Sequence, residues 1–282
     1  RYRYNSSPLD MDGHHIYIKD GDTVWNPGWQ PTKTPLDRYT CRHGLGYTVI
    51  EGEKNGVAAA QELFVPKGDA CELDRLTLQN HTDAVKELDV FGYVEFCLWD
   101  AIDDSSNFQR NFSTGEVEVE PGVIYHKTEY RERRDHYAVF WSDTPVTSFD
   151  TTRDAFCGVY GGPADPEAVR AGHCSGSIAH GWAPVGALHI HVTLAPGEEK
   201  KILFGLGYIE NPQDEKFTAP GVINKARAHA MISRYATSAQ VDAARKALAD
   251  HWEALLSTYH LESSEEKLDR MVNIWHQYQC MV

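Results

Sequence analysis

No run of about 20 apolar residues occurs in the 282-residue sequence, so no membrane-crossing helix is expected. The N-terminus, Arg1-Tyr2-Arg3-Tyr4, lacks the apolar stretch of a secretory signal. Together these absences predict a soluble, cytoplasmic protein. Basic residues are scarce: 27 Lys and Arg stand against 41 Asp and Glu, a formal charge of −14, which argues against a generally basic nucleic-acid-binding surface. Cysteine is sparse and scattered, at Cys41, Cys71, Cys97, Cys157, Cys174 and Cys280, without a C-x-x-C pair. That excludes a disulfide scaffold and disfavours zinc, leaving reduced and partly buried thiols. Internal repeats and low-complexity stretches are also lacking.

What is present is an ordinary globular balance, 41% apolar and 24% charged residues, in a chain long enough to bury a large core. Up to about residue 210, short alternating or apolar runs are broken by Gly, Pro, Asn and Asp, the pattern of an antiparallel all-β domain. Glu116-Val117-Glu118-Val119-Glu120 alternates charge with valine, which predicts one wet and one buried face. About a dozen strands at this spacing imply two large stacked sheets.

Beyond Asn211-Pro212 the period changes to three and four. Thr237 and Gln240 form a capping box before Val241, Ala244, Leu248, Trp252, Leu255 and Tyr259. Ser263 and Glu266 suggest a second box, followed by Leu268, Met271, Val272, Trp275 and Tyr278 on one helical side. A weaker helix is expected over about residues 223–235. The apolar stripe at the C-terminal end leads us to expect a segment of a longer polypeptide whose partner surface covers it.

Individual motifs carry little chemistry. Gly44-Leu45-Gly46 lacks the third glycine and the following helix of a dinucleotide site, and is expected to be a strand or turn feature. Among the histidines, His14-His15 adjoin, and His189 and His191 share a strand face, yet no complete metal-ligand set is recognisable. Asp10 with Asp12, Asp103 with Asp104, and Glu129 with Glu132 are possible paired carboxylates, although solvated loop positions explain them better. Arg131-Glu132-Arg133-Arg134 suits either an anion or a charged strand edge, with the edge preferred. Residues 156–181 are too long for a simple connection, which leaves function or disorder open. Asn107-Phe108-Gln109-Arg110-Asn111-Phe112 mixes amides, a guanidinium and rings in a combination suited to sugar hydroxyls and apolar sugar faces.

Ordered blocks extend this picture: Arg1-Tyr2-Arg3-Tyr4-Asn5, Val24-Trp25-Asn26-Pro27, Arg42-His43-Gly44-Leu45-Gly46-Tyr47, Asn107-Phe108-Gln109-Arg110-Asn111, Gly205-Leu206-Gly207-Tyr208 and Ile274-Trp275-His276-Gln277-Tyr278. In this collinear order the sequence resembles the N-terminal portion of cellobiose phosphorylase, a glycoside hydrolase family 94 type glycoside phosphorylase. The resemblance implies a mainly β fold: a large antiparallel β-super-sandwich at residues 1–210, a helical linker at 211–262, and at 263–282 the truncated start of an (α/α)₆ catalytic barrel. It implies an inverting enzyme that converts cellobiose and inorganic phosphate to α-glucose 1-phosphate and glucose, with phosphate as co-substrate and no cofactor or metal.

The same resemblance puts the general acid, an Asp, in the barrel beyond Val282, so no catalytic residue is assigned within this chain. It makes Gln109 and Arg110 substrate-binding residues that reach the partner subunit's active site in a homodimer. The alternatives are a cellodextrin or chitobiose phosphorylase of the same family, or a freestanding carbohydrate-binding β-sandwich without catalysis.

Overall fold

Period-two alternation in the strands builds a structure with a buried core on each side of each main sheet. The computed structural model describes residues 13–96, 115–128, 136–181 and 184–281. The smaller sheet runs in the order β11 (Ser148–Thr152), β13 (Pro184–Leu194), β7 (Lys86–Glu95), β1 (His14–Asp20) and β2 (Thr23–Trp25). The larger begins with β12 (His180–Gly181), β8 (Gly115–Glu120), β9 (Val123–Thr128), β10 (His136–Ser142) and β14 (Glu199–Glu210). It continues through β6 (Cys71–Asn80), β5 (Val57–Phe64), β4 (Tyr47–Lys54) and β3 (Arg38–Gly44). Every neighbouring pair in both sheets is antiparallel. The fold is thus mainly β, as expected, and the sheets stack face to face.

Between the sheets lies the central core, with Ile16, Ile18, Leu76, Leu78, Val90, Phe140, Ile190 and Phe204 all buried. Burying side chains of this size stabilises the fold by roughly 1.5–3 kcal/mol each before the entropy of ordering is counted. A second core covers the outer face of the small sheet. Here the long segment after β11 supplies the lid: α1 (Arg153–Cys157) and α2 (Glu167–Ala171) bury Phe156, Cys157, Ala168 and Val169 against Tyr17, Phe91 and Tyr93. The Phe156 and Tyr93 rings stack at 4.6 Å, and the Tyr17 hydroxyl donates to the Pro163 carbonyl at 2.7 Å. Asp150 ties down the return path by accepting from the backbone N–H groups of Ser175 and Ser177 and from the Ser175 hydroxyl. The described part of 156–181 is therefore an ordered cover rather than a disordered connection, and its Tyr160 tip stands free of the rest.

The third core lies on the outer face of the large sheet, beneath α3 (Ala226–Ser233) and α4 (Ser238–Leu256). Close approach is possible because β14 carries Gly207, where a Cβ would stand 2.7 Å from the Met231 sulfur and 2.9 Å from Val139. The alternation on β8 buries Val117 and leaves Glu116 exposed, and the helical layer partly covers the rest of that outer face. Lys225 meets Glu118 at 2.6 Å and Glu120 at 3.8 Å, and His229 meets Glu120 at 2.8 Å, so two of the three glutamates are partly covered while Glu116 stays exposed as expected.

The capping box at Thr237 and Gln240 is formed as expected. Helix α3 is shorter than the span 223–235, because Ile223 pairs in the ribbon of β15 (Phe217–Ala219) and β16 (Val222–Ile223). The second cap also differs: Glu265 caps α5 (Glu266–Arg270), while Ser263 bonds Asp269. A π-helical turn, Met271–His276, leads on to α6 (Gln277–Met281). Leu268, Met271 and Trp275 are half-exposed along this unit, with Leu255 and Tyr259 exposed just before it. Among the described residues no helix is long and apolar enough to cross a membrane.

Candidate functional site

On five strands the inward-facing row is apolar for most of its length and turns polar at one end. On β6 the row runs Leu78, Leu76, Asp74, Glu72; on β10 it runs Phe140, Ala138, His136; on β9 Ile124 precedes His126. In β14 Ile202, Phe204 and Leu206 lead to Tyr208, and in β1 Ile18 and Ile16 lead back to His14. Strand register brings these ends together: Leu206 pairs with Glu72, Tyr208 with Ala138, and His14 with Val94. His14, Glu72 and Tyr208 line a cleft of about 710 Å³ whose apolar walls include Val94, Phe96, Ala138 and Leu206, while Asp74, His126 and His136 lie in the same rows outside its lining.

The polar groups there differ sharply in state. His14 and Glu72 pair at 3.1 Å at the mouth. Two residues along β6 from Glu72, Asp74 accepts from the Gln61 amide at 2.7 Å, while its other oxygen has no hydrogen-bond partner among the described residues. Burial pushes its carboxyl up to about 8, so it is mostly protonated at neutral pH. His126 stacks on Phe96 at 5.0 Å, and burial lowers it to about 4, which keeps the ring neutral. Tyr208 and His136 meet at 3.4 Å. On the other side of β7, Glu95 is held by Arg153 at 3.1 Å and by the Tyr93 hydroxyl at 3.0 Å. That pair anchors the strand end immediately before residue 97.

Gln109 and Arg110 lie outside the described residues, as do Asp10, Asp12, Asp103, Asp104, Glu129, Glu132 and the run 131–134. Their flanking residues are described. Phe96 and Gly115 bracket 97–114, Thr128 and His136 bracket 129–135, and Gly13 follows 1–12; all sit at the polar end of the sandwich.

His189 and His191 do share one face, but Asp89 bridges them at 3.0 and 2.9 Å, and Glu87 takes the far nitrogen of His191 at 2.9 Å. His189 also meets the Ser148 hydroxyl at 2.9 Å. Burial lowers His189, whereas the hydrogen bond to Asp89 raises His191. Among the described residues no group of three His, Cys, Asp or Glu is arranged to hold a metal ion. Gly44-Leu45-Gly46 closes the β3–β4 hairpin, which removes the dinucleotide reading. Glu72, Asp74, His126 and His136 escaped the sequence reading. Their signal was the replacement of apolar residues at inward positions near strand ends.

The glycosyl hydrolase 94 supersandwich domain matches residues 1–238, and the catalytic domain of the glycosyl hydrolase 94 superfamily matches 251–282. The chain belongs to glycosyl hydrolase family 94. Among its family 94 relatives is the N,N'-diacetylchitobiose phosphorylase of Vibrio proteolyticus, 32% identical over 287 residues, covering 99% of this chain and 34% of that protein. The solabiose phosphorylase of Paenibacillus borealis is 36% identical over 201 residues, covering 70% of the chain and 26% of that protein. This chain therefore spans about a third of the length of its first relatives. A solved structure described as a putative kojibiose phosphorylase from human microbiome shares the fold, at a TM-score of 0.53 and 10% identity, over 90% of this chain and 31% of that one.

The family assignment gives helix α4 a second meaning, since the catalytic-domain match starts inside it. His251 meets Lys67 at 3.1 Å, and Trp252 packs over Gly46 in the β3–β4 turn. That turn lies at the same end of the large sheet as Cys71, His136 and Gly115. The first residues matching the family's catalytic domain thus pack on the outer face of the large sheet at the end that carries the polar strand ends.

Proposed function

We propose that this chain is the sandwich and leading helical part of a family 94 disaccharide phosphorylase, acting on a β-linked disaccharide such as cellobiose or N,N'-diacetylchitobiose. The observation that carries this is the convergence just described: the strand ends bracketing 97–114 and the segment matching the catalytic domain occupy one end of the sandwich.

In the proposed reaction an oxygen of inorganic phosphate attacks the anomeric carbon from the face opposite the glycosidic oxygen. The carbon–oxygen bond breaks as a carboxylic acid donates its proton to the leaving sugar, giving an α-sugar 1-phosphate and a free sugar. Phosphate replaces the activated water of an inverting hydrolase, so one acid suffices. We assign that acid to the remainder of the catalytic domain and none to this chain. Gln109 and Arg110 are proposed to bind substrate, the amide through hydroxyls and the guanidinium by adding positive charge beside the phosphate path. Their target is proposed to be the active site of a partner subunit in a homodimer.

The half-exposed stripe of Leu268, Met271 and Trp275 is the proposed seat of the following barrel helices. A freestanding carbohydrate-binding sandwich is disfavoured, because such a module has no use for the segment matching the catalytic domain. The test is to incubate the complete polypeptide with cellobiose, N,N'-diacetylchitobiose and solabiose, each with and without phosphate. Phosphate-dependent formation of a sugar 1-phosphate from one of them supports the proposal, and release of free sugars alone without phosphate contradicts it.

A further inference from the structure

Four charged side chains between helix α4 and the outer face of the large sheet form one continuous chain of ion pairs. Arg75 on β6 reaches Glu62 on β5 at 2.6 Å with one guanidinium nitrogen and Asp242 on α4 with the other. Arg245, one turn further along α4, reaches the second oxygen of Glu62 at 3.2 Å. Its guanidinium also lies 3.6 Å from the centre of the Tyr47 ring on β4. Arg75, Glu62 and Arg245 keep only 14–18% of their side-chain surface in solvent, while Asp242 keeps 57%.

An apolar contact alone would hold α4 on the sheet, and Val241 and Leu248 already provide one. Such contacts are non-directional and permit sliding and rotation. A guanidinium fork between carboxylates, with one fork also stacked on a ring, admits few geometries. Partly buried charge of this kind adds little net stability, and its better-attested use is to select one arrangement over its neighbours. The arrangement selected here is the pose of the helix inside which the catalytic-domain match begins.

We propose that Arg75 and Arg245 are positioning residues: they lock α4 to the sandwich and so set where the catalytic domain stands relative to the sandwich end bracketing 97–114. This inference rests on the function proposed above. A shift of about 1 Å at a reacting centre is enough to slow turnover by as much as a hundredfold, so the pose of the strut matters to the rate.

The experiment uses the complete polypeptide with spin labels carried by non-natural residues at Asp83, on the β6–β7 turn, and at Glu253, on α4. Arg75→Gln, Arg245→Gln, their double variant and the milder Asp242→Asn are compared with Lys246→Gln, an exposed charge whose partner among the described residues is Asp250 on its own helix. Kinetics on the preferred disaccharide, inter-label distance distributions and thermal unfolding are recorded for each. The expected result for the double variant is a kcat/KM lower by about tenfold or more. Its distance distribution broadens or shifts and its unfolding midpoint falls, because Glu62 is left without its cations, whereas Asp242→Asn leaves both arginines on Glu62 and moves the midpoint little. Asp242→Asn is expected to give a smaller change in the same direction, and Lys246→Gln none.

An unchanged kcat/KM in the double variant overturns the inference, as does lost activity with an unchanged distance distribution. If the unsubstituted polypeptide shows no phosphorolysis, the proposed function fails instead. The distances then decide the positioning claim alone: a distribution unchanged in the double variant overturns it, and a broadened one upholds the lock on α4.

Discussion

The indole nitrogen of Trp252 occupies the space above Gly46, only 2.8 Å from where a Cβ on that glycine would stand. Gly46 also adopts φ +74, in the left-handed region that disfavours side chains. Gly46→Ala therefore meets two obstacles at once. We expect it to destabilise the protein by about 1–3 kcal/mol and to loosen the end of α4. Thermal unfolding followed by tryptophan fluorescence measures this, and an unchanged midpoint would show that the contact is not a constraint.

Asp74 gives a pH signature. In the fold its carboxyl stays protonated up to about 8, whereas an unfolded chain releases that proton near its ordinary value of 3.8. Because the native state holds the extra proton between these values, stability from this residue falls as pH rises from about 4 to 8. Asp74→Asn keeps the shape and removes the titration. The variant should gain stability on the wild type on the order of a few kcal/mol at pH 8 and little at pH 4. Urea unfolding at both values checks it, and parallel pH profiles would refute the burial argument.

His126 acts with the opposite sign. Burial lowers its folded value to about 4 from an ordinary 6.5, so the unfolded chain takes up a proton first as the solution is acidified. Stability is lost as pH falls from about 6.5 to about 4, by about 3 kcal/mol at most. His126→Phe, stacked beside Phe96, is expected to remove that acid-side slope while leaving the slope from Asp74. The difference between the two urea-unfolding profiles isolates it.

At the start of α4, Thr237 accepts from the Gln240 backbone N–H, and the Gln240 side chain accepts from the Thr237 N–H at 3.0 Å. Thr237→Ala removes the hydroxyl half of this box. The expected cost is about 1 kcal/mol, read as a lower denaturation midpoint.

Much of the fold was legible because its signals are local. The alternation at Glu116–Glu120, the helical stripe from Val241 to Trp252 and the box at Thr237 all arise from neighbours within a few residues. What escaped depends on distant partners. Nothing within 116–120 announces that Lys225 and His229 will partly cover Glu118 and Glu120, and nothing in 156–181 shows that Phe156 will meet Tyr93. The polar end of the sandwich was written into β6, where Glu72 and Asp74 continue the inward row of Leu76 and Leu78. Alternation tells which face a residue takes but not which strand ends meet, so the cleft required the register of five strands. Gln109 and Arg110 stood out by the side-chain mixture of 107–112 and by the family resemblance, not by any contact.

The decisive measurement is therefore phosphate-dependent turnover of the preferred disaccharide by the complete polypeptide carrying Arg110→Ala, beside a Ser106→Ala neighbour as control. With sugar-binding groups supplied from 97–114, Arg110→Ala should lower kcat/KM by about tenfold or more, the scale of a lost charged contact to a buried substrate, while Ser106→Ala stays near wild type. Equal kinetics for the two variants and the wild type would contradict a role for this end of the sandwich in the reaction.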